Sequence, residues 1–332
     1  MEIPKIYKDD DASLDDIRSK KVAIIGFGNQ GRAQALNLRD SGVSVSLGLR
    51  ENSDKLVDVA NAGLEYQSIQ DAVSGSQIIA ILIPDQIMGE VFKKNILPNL
   101  QDGQTLLFSH GYNIVYELIQ PPQFVNVVLA APSGAGVEVR KQYKKGSGIP
   151  GLFAVHQDYS GDARDILLSY CKAIGMTRIG VFESTFKEET ETDLFGEQVV
   201  LTGGIPKIIQ SSYKVLLESG YSAVSAWFVC YYELKTIVDM FHAKGFEYMN
   251  NAISDTAEYG GITRGKRIIS ESVENEMRKI LKEIQSGDFH KEWKKESDDN
   301  FPILRKLREA EKKTEIEGIG QLLLRNIFKD KK

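Results

Sequence analysis

From Lys21 to about Glu183, short apolar runs rich in β-branched residues alternate with stretches of helical period. Residues 22–25, 43–47, 78–83, 106–108, 125–129 and 152–155 predict strands. Several are apolar almost throughout, as strands covered by helices on both faces are. The alternation predicts a doubly wound α/β domain built on a mostly parallel sheet. After Glu183 a polar stretch, residues 184–192, leads into sequence whose apolar positions recur every three or four residues, at 205–219, 222–243, 271–286 and 302–313. Strand-like alternation is nearly absent there. The pattern predicts an α/β domain over 1–183 and an all-helical domain over 184–332, with residues 329–332 a solvated end.

A length of 332 residues fits two domains on a prior of roughly 100–200 residues each. With 42% hydrophobic and 26% charged residues, the composition excludes disordered and collagenous classes. Lys and Arg number 41 against 46 Asp and Glu, and a balance of −5 argues against a general binder of nucleic acid or anionic membrane. The cluster Lys141, Lys144 and Lys145 is too small to reverse that. Only Cys171 and Cys230 are present, so a disulfide framework is excluded and a reducing cytosol is the simpler setting. The first twenty residues lack the apolar core of a signal peptide. No window approaches the roughly 18 uninterrupted apolar residues of a membrane span. A soluble, cytoplasmic protein is expected.

The segment Gly26-Phe27-Gly28-Asn29-Gln30-Gly31 is a G-x-G-x-x-G placed directly after a strand and before a helix. The first glycine permits a tight turn, the second lets backbone approach a pyrophosphate, and the third allows close helix–strand packing at the anion-attracting helix N-terminus. In that context the motif predicts a Rossmann-like dinucleotide site. At the end of the second strand, where an NAD site usually places a carboxylate for the ribose 2′-hydroxyl, the chain has Arg50, Ser53 and Lys55. Two cations and a hydroxyl suit a 2′-phosphate, so NADP is favoured. Glu51 and Asp54 leave NAD open. The alternative is a charged loop with Ser53 as helix N-cap.

Glu189, Asp193 and Glu197 are spaced by four and would share one helical stripe. Like charges at that spacing cost a helix about 0.2–0.5 kcal/mol per pair. A divalent cation would convert the repulsion into coordination, and an all-oxygen donor set suggests Mg²⁺. A solvated acidic face at a helix N-terminus is the alternative. Glu233 is a lone carboxylate in a rather apolar stretch, where burial would demand a cation or hydrogen bonds. The segment Ser254-Asp255-Thr256-Ala257-Glu258-Tyr259 is a further polar cluster that could serve simply as a helix cap.

Taken with Phe108-Ser109-His110-Gly111-Tyr112-Asn113 and Glu233-Leu234-Lys235, these motifs in order resemble ketol-acid reductoisomerase in its short, class I form, over essentially the whole chain. The resemblance implies NADPH and two Mg²⁺ ions. It also implies branched-chain amino-acid biosynthesis, in which 2-acetolactate or its 2-aceto-2-hydroxybutyrate homologue undergoes alkyl migration and then reduction to a 2,3-dihydroxy acid. By motif position it implies Asp193 bridging both metals, Glu197 on the first and Glu233 on the second. Ser254 would touch substrate, and His110 would lie near the reacting centre. Cofactor contacts would extend from Gly26–Gly31 to Asp85, Gln86 and Gly136. A homo-oligomer is implied as well, because the family's helical domain interlocks with a partner subunit.

Two departures bear on activity. Where the family carries its catalytic lysine, in an Ala-Pro-Lys-Gly-Pro-Gly segment, this chain reads Ala131-Pro132-Ser133-Gly134-Ala135-Gly136. Serine is short, neutral and a poor base unless activated. The family's other metal-binding Glu, four residues before Glu233, is Val229 here. Arg32, Gln34, Val115 and Val137 stand where relatives often have histidine. Isomerisation, which needs both metals and proton handling, should suffer most. Three functions compete: a reductoisomerase with weakened isomerisation, a one-metal 2-oxo acid reductase, and a non-catalytic nucleotide-binding paralogue.

Overall fold

The computed structural model describes residues 4–327. The chain forms two compact units, residues 1–192 and 193–332, parting inside the helix Phe186–Gly196. In the first unit, nine strands make one sheet: β1 (Ile6–Tyr7), β2 (Lys21–Ile25), β3 (Ser44–Gly48), β4 (Tyr66–Gln67), β5 (Ile78–Ile81), β6 (Thr105–Phe108), β7 (Asn126–Pro132), β8 (Gly151–Gln157) and β9 (Val181–Glu183). The spatial order is β1-β9-β8-β7-β6-β5-β2-β3-β4. Pairing is parallel from β4 through β7 and again between β8 and β9. It is antiparallel only for β7–β8 and β1–β9. The expected doubly wound, mostly parallel sheet is therefore what forms.

Alternate residues of the central strands serve opposite layers. Val22 and Ile24 of β2 and Ile78 and Ala80 of β5 pack into one apolar cluster with Leu38 and Leu167. Ala23, Ile25, Ile79 and Ile81 pack into a second with Val73 and Phe108. Both faces are thus covered, at about 1.5–3 kcal/mol for each large side chain buried. Chain order along the sheet reverses between β2 and β5, with register Val22↔Ile78. In open α/β sheets the ligand crevice lies at such a reversal, beyond the carboxyl ends of the strands. There the turn after β2, the loop after β5 and the segments after β3, β6 and β7 emerge, carrying Gly26–Gly31, Arg50, Ser53, Lys55, Asp85, Gln86, His110 and Gly136.

Strands β1, β4 and β9 were not expected. Each is two or three residues long, and β1 is fixed by a distant partner, Ile6 against Phe182. Ser53 is not a helix cap. The helix begins at Leu56 after Lys55, and the Ser53 hydroxyl instead accepts from the Lys55 amide at 3.3 Å.

Among its described residues the second unit is helical, with no strand. The expected segments form as Gly204–Glu218, Ala223–Trp227 with Leu234–Ala252, Glu271–Ser286 and Pro302–Lys312. The run Leu234–Ala252 breaks at Gly245, whose φ is +87°. Helices Asp255–Ile268, Asp288–Asp298 and Glu315–Ile327 add to them. π-helical turns interrupt the pattern twice, at Glu197–Leu201 and at Phe228–Tyr232. Such bulges are frequent at functional sites. Here they adjoin two of the candidate carboxylates, Glu197 and Glu233.

Candidate active site

The turn after β2 is shaped for an anion. Gly26 adopts φ +98°, and a Cβ there would come 2.6 Å from the Ile83 side chain and 2.9 Å from the Leu82 carbonyl oxygen. At Gly28 a Cβ would meet nothing within 4 Å, so this backbone faces open space. Gly28 also caps the helix Asn29–Asp40 without any side-chain acceptor. Helix N-terminal amides left without a side-chain cap, beside open space, fit a bound phosphate. Gly136 abuts the turn, with its would-be Cβ 2.0 Å from the Asn29 carbonyl oxygen. Phe27, Gly28, Asn29, Lys55 and Gly136 line one cleft of about 470 Å³. Arg50 and Ser53 do not line it, whereas Arg32 and Lys144 do.

Buried hydrogen bonds hold the turn. Gln34, fully buried, donates through Nε2 to Gln30 Oε1 at 3.1 Å and to Ser109 Oγ at 2.9 Å. Its Oε1 accepts from the Tyr170 hydroxyl at 2.7 Å. Burial pushes that hydroxyl's pKa well above its ordinary value, so it stays a donor. Gln30 Nε2 then donates to the Gly134 carbonyl at 2.9 Å. The chain of bonds joins the segments after β2, β6 and β7, and sequence reasoning did not see it because Gln34 and Tyr170 lie 136 residues apart.

Beyond β5, Asp85 receives the Asn113 amide on its carbonyl at 3.3 Å and its Oδ1 at 3.2 Å. Gln86 is exposed. Burial, with the Asp85 charge and Tyr116 adding to it, raises the Tyr112 hydroxyl and keeps it protonated.

Beyond β6, His110 Nδ1 lies 3.0 Å from Glu189 Oε1. The other oxygen of Glu189 accepts the Gly111 amide at 2.8 Å. Glu189 is only 4% exposed, which is tolerable because both oxygens are bonded. A carboxylate acceptor favours the imidazole proton on Nδ1, which makes Nε2 the basic nitrogen of the ring. A Cβ at Gly111 would stand 2.5 Å from Thr190 Oγ1 and 2.7 Å from the Phe186 carbonyl oxygen. Glycine lets the loop approach the helix that closely. Glu189 turns in to His110 and is buried, whereas Asp193 and Glu197, further along the chain, are exposed.

Asp193 and Glu197 sit on the last turn of Phe186–Gly196 and at the start of the following π turn. Their exposed, all-oxygen donor set fits a hard cation such as Mg²⁺. Glu233 follows the second π turn and is exposed, so burial makes no demand for a partner there. Among the described residues, Asp193, Glu197 and Glu233 do not gather within 4.8 Å as one ligand group. Ser254 caps the helix Asp255–Ile268, accepting the Ala257 amide at 3.3 Å. Ser133 is exposed beyond β7, its amide bonded to the Pro150 carbonyl at 2.9 Å. Val229 is 54% exposed.

A Rossmann-type sheet with an open glycine turn at its reversal point, a carboxylate-oriented histidine beside it and a separate helical unit define a dinucleotide-dependent oxidoreductase. Comparison with known proteins narrows the class. Residues 16–180 match the family described as acetohydroxy acid isomeroreductase, NADPH-binding domain, and residues 186–329 match the ketol-acid reductoisomerase C-terminal domain. The chain is 48% identical over 319 residues to the ketol-acid reductoisomerase (NADP(+)) of Methanocaldococcus jannaschii, covering 96% of this chain and 97% of that protein. Its identity to the Chloroherpeton thalassium enzyme of the same name is 47%, over 96% and 94%. The solved structure of an NADH-preferring ketol-acid reductoisomerase from an uncultured archaeon superposes with a TM-score of 0.94 at 38% identity, covering 96% of this chain and 98% of that one. This chain belongs to the ketol-acid reductoisomerase family.

Proposed function

We propose that the protein is an NADP-dependent reductase of 2-hydroxy-3-oxo acids in branched-chain amino-acid biosynthesis. It converts 2-acetolactate to the 2,3-dihydroxy acid, with alkyl migration slower than reduction. The observation that carries this reading is the His110–Glu189 contact, made at the same end of the sheet as the open Gly28 turn. When bound, Mg²⁺ on Asp193 and Glu197 would polarise the substrate carbonyl and NADPH would supply hydride.

The chain's own residues then do the following. The amides at Gly28 and Asn29 seat the pyrophosphate, and Asp85 and Gly136 bound the cofactor on either side. Glu189 holds one proton of His110 on Nδ1, so Nε2 can take up a second proton from water and pass it to the oxygen that hydride addition leaves charged. Ser133 offers only a short neutral hydroxyl for the proton transfers of migration. Val229 presents an apolar side chain where a further carboxylate would help hold the second cation. Reduction thus keeps its residues and migration loses two.

The helical unit supports a homo-oligomer. Its described apolar residues with the deepest burial are few: Leu194, Tyr213, Ala226, Trp227 and Ile284. Leu201, Val215, Phe246, Tyr259 and Ile268 are each more than half exposed. Single chains rarely leave so much large apolar surface in water. A second copy would cover it and could bring its own Glu233 to Asp193 and Glu197, which one chain does not do. No described helix is long and apolar enough to cross a membrane, and a cytosolic location suits the reaction.

The test is to incubate the protein with NADPH, Mg²⁺ and 2-acetolactate. One 2,3-dihydroxy acid should form for each NADPH oxidised. Binding of NADPH with neither oxidation nor product, for this substrate or for its rearranged ketone, would instead favour the non-catalytic paralogue.

A further inference from the structure

The cleft beside the glycine turn holds more positive charge than the loop after β3 supplies. Its polar lining includes Arg32, Lys55, Asp58, Arg140 and Lys144 around Gly28. Arg140 is already engaged, donating to Asn37 Oδ1 at 2.8 Å and to Asp40 Oδ2 at 2.6 Å. Lys55 is paired with Asp54 at 3.0 Å. Arg32 and Lys144 make no ion pair with a described residue. They differ in position. Arg32 stands one helical turn above Gly28, its amide bonded to the Gly28 carbonyl at 2.9 Å. Lys144 is eight residues beyond Gly136, about 12 Å further along its helix from the turn.

We propose that Arg32, on the helix that follows the glycine turn, is the specificity-determining cation for the adenosine 2′-phosphate. Arg50, which the loop sequence also offers for that role, contributes less. The inference rests on the reading that this turn binds a nicotinamide dinucleotide. Arg32 has a planar fork of donors suited to phosphate oxygens and no competing carboxylate partner. Arg50 is exposed and outside the cleft lining. NADH lacks the phosphate, so Arg32 gains nothing from it. The balance between NADPH and NADH is then set from the helix as well as from the loop.

The experiment is fluorescence titration of NADPH and NADH into the full chain and into Arg32→Gln, Arg32→Lys, Arg50→Gln and Lys144→Gln. Competition by 2′,5′-ADP serves as a probe of the phosphate alone. Arg32→Gln should weaken NADPH and 2′,5′-ADP about tenfold, the size of one charge-assisted hydrogen bond, and leave NADH within about twofold. Arg32→Lys should fall between the two, while Arg50→Gln and Lys144→Gln should cost NADPH less than about threefold. Unchanged NADH affinity shows that the variant is folded. The proposal is overturned if Arg32→Gln preserves the NADPH/NADH ratio, or if Lys144→Gln lowers it equally, which would mean a diffuse field. A wild-type protein that bound neither dinucleotide would remove the underlying reading as well.

Discussion

Replacing Glu189 by Gln tests the His110 arrangement with almost no change of shape. In the native site one carboxylate oxygen faces the imidazole Nδ1 at 3.0 Å and the other takes the Gly111 amide at 2.8 Å. Glutamine turns one of these acceptors into a donor. If its amide nitrogen faces Gly111, a buried N–H meets another N–H. Water cannot repair the contact, because the residue is only 4% exposed. Leaving a buried donor unsatisfied costs about 1–3 kcal/mol. If the amide nitrogen faces the ring instead, the imidazole must move its proton to Nε2, the nitrogen needed for exchange. The first arrangement costs stability and the second costs chemistry, so the variant should lose some of each. We expect thermal unfolding a few degrees lower, at about 2–4 °C per kcal/mol for a large chain. We also expect kcat to drop by about 10²–10⁴, the usual worth of a general acid–base group. NADPH affinity should stay within about twofold, because Glu189 is not among the residues lining the cofactor cleft. Glu189→Asp keeps the charge and should recover part of the rate. A Glu189→Gln enzyme with kcat within about threefold of wild type would show that His110 is not oriented for proton transfer in this way.

Gly111→Ala should behave similarly by a steric route: the added Cβ would sit 2.5 Å from Thr190 Oγ1, and overpacking of this kind costs about 1–3 kcal/mol in a denaturant titration. Ser133→Lys combined with Val229→Glu should raise turnover of 2-acetolactate relative to the rearranged ketone. A folded double variant with the ratio unchanged would show that neither position limits migration. Burial pushes the Cys171 thiol up to about 12 from 9.0. Its contribution to stability is therefore whole below about pH 9 and declines as pH rises from there toward 12, by up to about 4 kcal/mol. Urea titrations across that range should show the decline, and Cys171→Ser should flatten it. A thiol reagent near neutral pH should label Cys230, which is half-buried, well before Cys171, which unfolding alone exposes.

The sheet was legible wherever burial on both faces demands a continuous apolar run, as in β2 and β5. It was illegible where pairing rather than composition makes the strand: Ile6–Tyr7 is a strand because Phe182 and Val181 lie beside it. In the helical unit, Asp255–Ile268 escaped detection because none of its residues is buried and three glycines interrupt its period. The glycine turn could be read because its chemistry is local, within six consecutive residues. The His110–Glu189 contact spans 79 residues, so helical spacing around Glu189 could not show it. Arg32 was visible only as a departure from the family pattern, since the cleft it lines is assembled from three separate helices.

The central claim is that reduction survives in this chain while migration is weakened. It is tested most directly by comparing, in one preparation with NADPH and Mg²⁺, kcat/KM for 2-acetolactate with kcat/KM for its rearranged 3-hydroxy-2-oxo isomer. The isomer, which bypasses migration, should be reduced at least about tenfold more efficiently, the effect of losing a proton-transfer group being no smaller than that. Equal values for the two substrates would contradict it.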